Sequence, residues 1–232
     1  MSGDDNQRGR EYMGVPDAHD AMRTRREFLG AALATTVVSG CVDRSVSQAS
    51  SPGLFVPSLE QGTIQADNTC DGGDHSPEIQ ITNVSRKTNS LALVVDALAN
   101  AASDPSAHWL VWNLPPETAT IPSGIPQRPT VTESLLTPDP ALERSATEGS
   151  FVQGTNHRDT IGYAGPCPTD RPLATTYRFR LYELGARLEL GSEAGRGAVM
   201  NAIGEQQRSS AEISATYDRR TGQTVDFSGS TE

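Results

Sequence analysis

Lysine is almost absent from this chain of 232 residues: Lys87 is the only one, and arginine supplies the rest of its 19 basic side chains against 29 acidic ones. The formal net charge is −10, with no basic patch along the sequence. That excludes binding to nucleic acid or anionic head groups by bulk charge, because both need clustered cations. Acidic excess together with arginine in place of lysine suggests a salt-loving source, where screening keeps such a surface soluble. The four histidines, at positions 19, 75, 108 and 157, form no His-x-x-x-His pair, and the three cysteines form no Cys-x-x-Cys pair. The usual ways of fixing two metal ligands on one element are therefore missing, and no metal or other cofactor is expected. Gly72-Gly73 lacks the lysine and the strand-turn-helix setting of a phosphate loop, so nucleotide chemistry has no support. Ser76-Pro77 lacks a Gly-x-Ser-x-Gly elbow, which leaves a triad of Ser76, His108 and Asp96 without a basis. Asp71, Asp74 and His75 share a Gly-rich loop that reads as a solvated turn.

What is present begins near the N-terminus. Arg25 and Arg26 precede Phe28 and Leu29, and an uncharged stretch then runs from Gly30 to Gly40. That stretch is too short to span a bilayer, but a basic pair, a brief apolar core and small residues fit a twin-arginine export signal. Val38-Ser39-Gly40-Cys41 has the form of a lipobox, in which small residues admit a signal peptidase ahead of a lipid-modified thiol. Residues 1–40 are thus expected to be a signal peptide and Cys41 the lipidated first residue of an extracellular, membrane-anchored protein. Removal of 1–40 leaves 14 basic and 23 acidic side chains. Residues 41–57 are serine-rich, contain two prolines and lack an apolar period, so they read as a flexible tether.

Residues 58–232 suit a single domain. Ser90–Asp96 and Ala107–Leu114 are apolar strand candidates. In Tyr177–Leu184, Tyr177, Phe179 and Leu181 alternate with Arg178, Arg180 and Tyr182, as a half-buried strand requires, and Glu212–Tyr217 alternates similarly. Between these last two, Ser192 is placed to cap a helix running from Glu193 to about Gln206, with Ala194, Ala198, Val199, Ala202 and Ile203 on its apolar face. The expected fold is mainly β, a two-sheet sandwich with short accessory helices near the C-terminus.

Four segments then carry a likeness in their order and spacing. They are Cys70-Asp71-Gly72 with Ser76-Pro77, the strand ending at Asp96, Ala107-His108-Trp109 through Asn113-Leu114-Pro115, and Gly154-Thr155-Asn156 leading to Tyr163-Ala164-Gly165-Pro166-Cys167-Pro168. Together they resemble the phosphatidylethanolamine-binding protein family, and more narrowly its bacterial and archaeal Raf-kinase-inhibitor-like branch, over roughly residues 58–220. The resemblance implies a two-sheet β-fold with a small pocket for phosphate or another anion, and no reaction. Its pocket positions fall on Asp96, on His108, on Gly165 and Pro166 in the Gly-Pro-x-Pro loop, and on Thr175 with Tyr177. Here the turn after the strand reads Asp96-Ala97-Leu98-Ala99-Asn100, without the family's prolines and second acid, and Thr175 stands where the family has a second histidine.

With those replacements Asp96 is expected to orient His108 and raise its pKa, and anion binding is expected to be weak. With Cys41 taken by lipid, Cys70 and Cys167 remain in an oxidising compartment. The resemblance brings their loops to the pocket mouth and implies a disulfide; two separate buried thiols are the alternative. Two functions follow as expectations. One is a surface-anchored binding module for a small polar or anionic ligand, or for a protein partner. The other is a structural surface domain with a degenerate pocket.

Overall fold

The computed structural model describes residues 51–98, 104–142, 149–168 and 174–219. The segment expected to be an export signal, and Cys41, lie outside the described residues. The strands are β1 (Gly53–Phe55), β2 (Leu59–Glu60), β3 (Thr63–Ile64), β4 (Ile79–Thr82), β5 (Ser90–Leu98) and β6 (Ser106–Leu114). They continue as β7 (Thr118–Ile121), β8 (Thr130–Thr132), β9 (Thr137–Pro138), β10 (Ser150–Gln153), β11 (Thr175–Leu184) and β12 (Gln207–Tyr217), with one α-helix among the described residues, α1 (Arg196–Gln206), before β12. Four strands in the order β1-β4-β7-β9 form one sheet, and eight in the order β2-β3-β12-β11-β5-β6-β10-β8 form the other. The mainly β, two-sheet expectation is met. The C-terminal part of the segment expected as tether, 41–57, is instead part of the fold: β1 pairs antiparallel with β4 and is followed by the buried Val56. Three residues are enough for a strand there because the edge of β4 supplies their partners.

The long strands β5, β6, β11 and β12 form the centre of the larger sheet. β5 is buried over nearly its whole length because both its faces are covered. Leu91, Leu93, Val95 and Ala97 face the smaller sheet and join Ile79, Ile81, Ile121, Trp109 and Phe179 in the inter-sheet core. Ala92 and Val94 face the other way, into a second core with Leu110, Trp112, Leu184, Val199 and Ile203 under α1. Strand alternation, with successive side chains on opposite faces, produces this division.

The helix starts three residues later than expected, and Ser192 does not cap it: the N-cap is Gly195, with no side-chain hydrogen bond. Its buried residues are Val199 and Ile203, two of the five foreseen for the apolar face. Cys70 and Cys167 form a disulfide that spans 97 residues of sequence, so the two-thiol alternative does not apply.

Candidate functional site

The site begins with a β-bulge. Between β5 and β6, Val95 pairs with Trp109 while Asp96 pairs with Ala107, so His108 is the extra residue on its strand. An extra residue breaks the alternation and re-aims its side chain. His108, only 5% exposed, turns toward the loop after β10, where its Nδ1 lies 2.5 Å from the Ala164 carbonyl. The Ala164 N–H in turn donates to the His108 carbonyl at 2.9 Å.

A second histidine stacks against the first. The His157 ring lies 4.2 Å from that of His108, and Tyr177 meets His108 edge-on at 5.0 Å. His157 projects from a turn fixed by the buried Asn156, whose side-chain amide donates to Thr160 Oγ1 and to the Gly162 carbonyl and whose Oδ1 accepts from the Arg158 N–H. Both the backbone N–H and the Nδ1 of His157 reach the Ala107 carbonyl, at 2.8 and 3.0 Å.

A carbonyl can only accept, so both imidazoles carry their proton on Nδ1, and Nε2 is the acceptor atom of each neutral ring. Burial, and then the neighbouring His157, push His108 down from its ordinary 6.5 to about 4, against the opposing pull of the Ala164 carbonyl. His157 is likewise lowered, chiefly by burial. Burial raises Tyr177 to about 12, although a hydrogen bond with Thr175 works against it. At neutral pH the site therefore holds two uncharged imidazoles and a phenol. Among the described residues no group of three or more His, Cys, Asp or Glu side chains converges to hold a metal ion.

The rim is the loop Gly165 to Pro168. The Gly165 N–H donates to Asp74 Oδ1 at 2.6 Å, and Arg158 bridges Asp74 (2.9 Å) to the Gly165 carbonyl (2.9 Å). Cys70 N–H donates to the Pro166 carbonyl at 3.1 Å. A Cβ on Gly165 would collide with the Asp74 carboxylate and the Asn68 carbonyl, so only glycine lets the two loops meet this closely. Asp74 is therefore no freely solvated turn residue; it fastens the rim.

Asp96 is not in this site. It shares a face with Ala92 and Val94, is fully buried, and is held by Arg196 at 2.8 and 3.1 Å, Arg180 at 3.0 Å and Arg178 at 3.5 Å. The side chain that shares the inter-sheet face with Tyr177 is that of Ala97, its cross-strand partner. The expected rise in the His108 pKa is reversed for this reason: Asp96, behind the strand, has the weakest of the influences on His108, and burial dominates. Nor is a nucleophilic triad assembled, because Ser76 Oγ accepts the Ile125 N–H at 2.9 Å and the His108 Nδ1 is committed to Ala164.

The sequence profile described as phosphatidylethanolamine-binding protein matches residues 57–218. The chain belongs to that family. It is 31% identical over 157 residues to a UPF0098 protein of Pyrococcus horikoshii, covering 68% of this chain and 71% of that one. It is 32% identical over 160 residues to one from Methanothermobacter thermautotrophicus, covering 69% and 93%. Escherichia coli YbcL, described as a member of the mammalian PEBP family, shares the fold with a TM-score of 0.60 at 20% identity, over 73% of this chain and 99% of that one. A phosphatidylethanolamine-binding protein homologue of Chlamydia trachomatis does so with a TM-score of 0.57 at 24% identity, over 73% and 98%.

Of the pocket residues expected in this phosphatidylethanolamine-binding protein domain, His108 and Tyr177 meet at the bulge, Thr175 lies two residues before Tyr177 at the start of β11, and Gly165 and Pro166 form the rim. His157 and Arg158 were missed. The available signal was local: Asn156 followed by His157 just ahead of a Gly-Tyr-x-Gly-Pro run places a histidine on the loop that returns past His108.

The depressed His108 makes the domain acid-sensitive in a defined window. The unfolded chain takes up this proton near pH 6.5, whereas the folded chain does so near pH 4. Stability is therefore fully present above 6.5 and is lost as pH falls toward 4, by about 3 kcal/mol for this group. Urea unfolding at pH 7 and pH 4.5 should show the parent losing about 2–3 kcal/mol more than His108→Gln. Equal losses would show that His108 is not buried neutral.

Proposed function

We propose that this chain is a lipid-anchored, cell-surface binding module without catalytic activity, and that its pocket takes a small polar or anionic ligand of the phosphate type. The observation that carries the reading is the contact of His108, His157 and Tyr177 beside the Gly165-Pro166 rim, with both Nδ1 atoms fixed by backbone carbonyls. Such a site accepts hydrogen bonds when neutral and donates them, with charge, when protonated. A ligand with hydroxyl or ammonium donors suits the neutral form. An oxyanion needs the protonated form, helped by the nearby Arg158 guanidinium.

Phosphate affinity should therefore be millimolar or weaker at pH 7.5 and rise by about tenfold or more at pH 5, as imidazolium becomes available. This window lies lower than an unperturbed histidine would give, because both imidazoles are depressed. Titration calorimetry of the full-length protein with phosphate and phosphoethanolamine tests it on the parent, His108→Ala, His157→Ala and Thr175→His. Loss of the acid-side gain in the two alanine variants, and tighter binding by Thr175→His, are expected. Identical behaviour of all four would favour the second reading, a structural surface domain. Ala97 beside Tyr177 on the inter-sheet face, and Arg158 already engaged with Asp74 and Gly165, support that reading. A protein partner using the rim would be a third use of the same surface.

Anchoring rests on Val38-Ser39-Gly40-Cys41 behind the paired arginines. Cys41→Ser should move the protein from the membrane fraction to the medium or leave it unprocessed. A variant as membrane-bound and as fully processed as the parent would refute the lipid anchor.

A further inference from the structure

We infer that the face of the eight-stranded sheet carrying α1 holds a second oxyanion site, built from Arg178, Arg180, Arg196 and Tyr182 around Asp96 and suited to a phosphate, sulfate or carboxylate group. It is distinct from the histidine pocket because strand alternation puts Tyr177 and Ala97 on the inter-sheet face and Arg178 and Asp96 on the opposite one.

Charge is the first argument. Three guanidinium groups, each with a side chain 18–24% exposed, gather on one fully buried carboxylate. Arg178 has a further partner in Glu212, which is half-exposed and 3.7 Å away. Asp104 attracts Arg196 but is itself exposed. Within hydrogen-bonding reach three guanidinium groups share the single carboxylate of Asp96, and Glu212 and Asp104 balance them only from further out. An arginine cluster that faced only water would be expected to splay; this one is drawn together by Asp96, which leaves three guanidinium forks around one carboxylate.

Unused donors are the second argument. The Nε of Arg180 and the hydroxyl of Tyr182 are buried without a hydrogen-bond partner, and the Nε of Arg178 has only the Glu212 carboxylate, 3.7 Å away. Tyr182 is 3% exposed, and the Arg180 guanidinium lies 5.5 Å from the centre of its ring, so the phenol borders the cluster. Buried donors of this kind normally have a partner. The third argument is the helix end. Arg196 is the first residue of α1, whose N-terminus has neither a side-chain cap nor an acidic residue in its first turn. Its free N–H groups and dipole add to the same positive field. Fixed guanidinium forks, a phenol and a bare helix start suit one oxyanion, which each can meet through N–H or O–H donors.

The test is titration calorimetry of the full-length protein with inorganic phosphate, sulfate and acetate at pH 7.5, where the histidine pocket is neutral. In the His108→Ala background an anion should still bind. Arg178→Gln in that background should weaken binding by about tenfold or more, and Tyr182→Phe by about threefold to tenfold. Tyr182→Phe removes one oxygen and preserves core shape, so its effect is readable even if Arg178→Gln folds poorly. Absence of binding by all three anions up to about ten millimolar, a range in which a single charge-assisted contact set would register, overturns the proposal. So does binding that is lost with His108→Ala and kept in Tyr182→Phe. Because the pocket reading is tested separately by pH dependence and by Thr175→His, either site can fail without the other.

Discussion

Replacing Asp96 by alanine is expected to destabilise the domain by about 3–5 kcal/mol, the range for removing one partner of a buried ion pair. The carboxylate is fully buried and accepts from Arg196 through both oxygens and from Arg180, with Arg178 at 3.5 Å. Without it, three guanidinium groups face one another in a partly dehydrated space under the helix start. The loss comes less from the broken bonds than from the positive charge left uncompensated. Adding Arg180→Met to Asp96→Ala should therefore recover part of the loss, a coupling that a double-mutant cycle in urea measures directly. A loss below about 1 kcal/mol for Asp96→Ala would mean that water satisfies the arginines, and the cluster would then contribute little to stability.

This residue also marks how far the sequence could be read. The alternation in β11 was plain because polar and apolar residues take turns there, and it correctly put Tyr177 and Arg178 on opposite faces. In β5 the same rule held but left no trace: both faces are covered, so Leu91 to Val95 is an unbroken apolar run. Asp96 could then be assigned to either face by eye. The family resemblance put it in the pocket, and counting by twos from Leu91 would have put it behind. His108 defeats even that count, because the bulge inserts one residue that no periodicity announces. His157 was passed over for another reason, since the local motif gives its place on the loop but not its partner. Its partnership with His108 links positions 49 apart through a loop that returns to the sheet, a contact set by topology and by the Asn156 turn. The two-sheet fold, the main strands, the rim and the disulfide were legible because each rests on local pattern or on ordered motifs.

Loss of the Cys70–Cys167 bridge should have an effect as large as that of Asp96. The bond closes 97 residues of sequence, a long loop whose closure removes entropy from the unfolded chain, so reduction or the Cys70→Ser/Cys167→Ser pair should cost about 4–5 kcal/mol. Local geometry should nevertheless survive in the molecules that stay folded. The loops it joins are also held by Gly165 to Asp74, by Arg158 to both, by Cys70 to Pro166, and by the Tyr163 hydroxyl, which donates to the Asn68 carbonyl at 2.6 Å. The expected signature is a large fall in urea midpoint with any phosphate affinity measured at pH 5 nearly unchanged, since covalent closure acts on the unfolded state and the hydrogen bonds position the rim. Intact mass before and after alkylation, with and without reductant, establishes the starting state; urea titration of the two forms then gives the difference. Two cysteines that alkylate freely in the native protein would remove the bridge. A bridge whose reduction costs less than about 1 kcal/mol would show that the unfolded chain is already constrained near these loops.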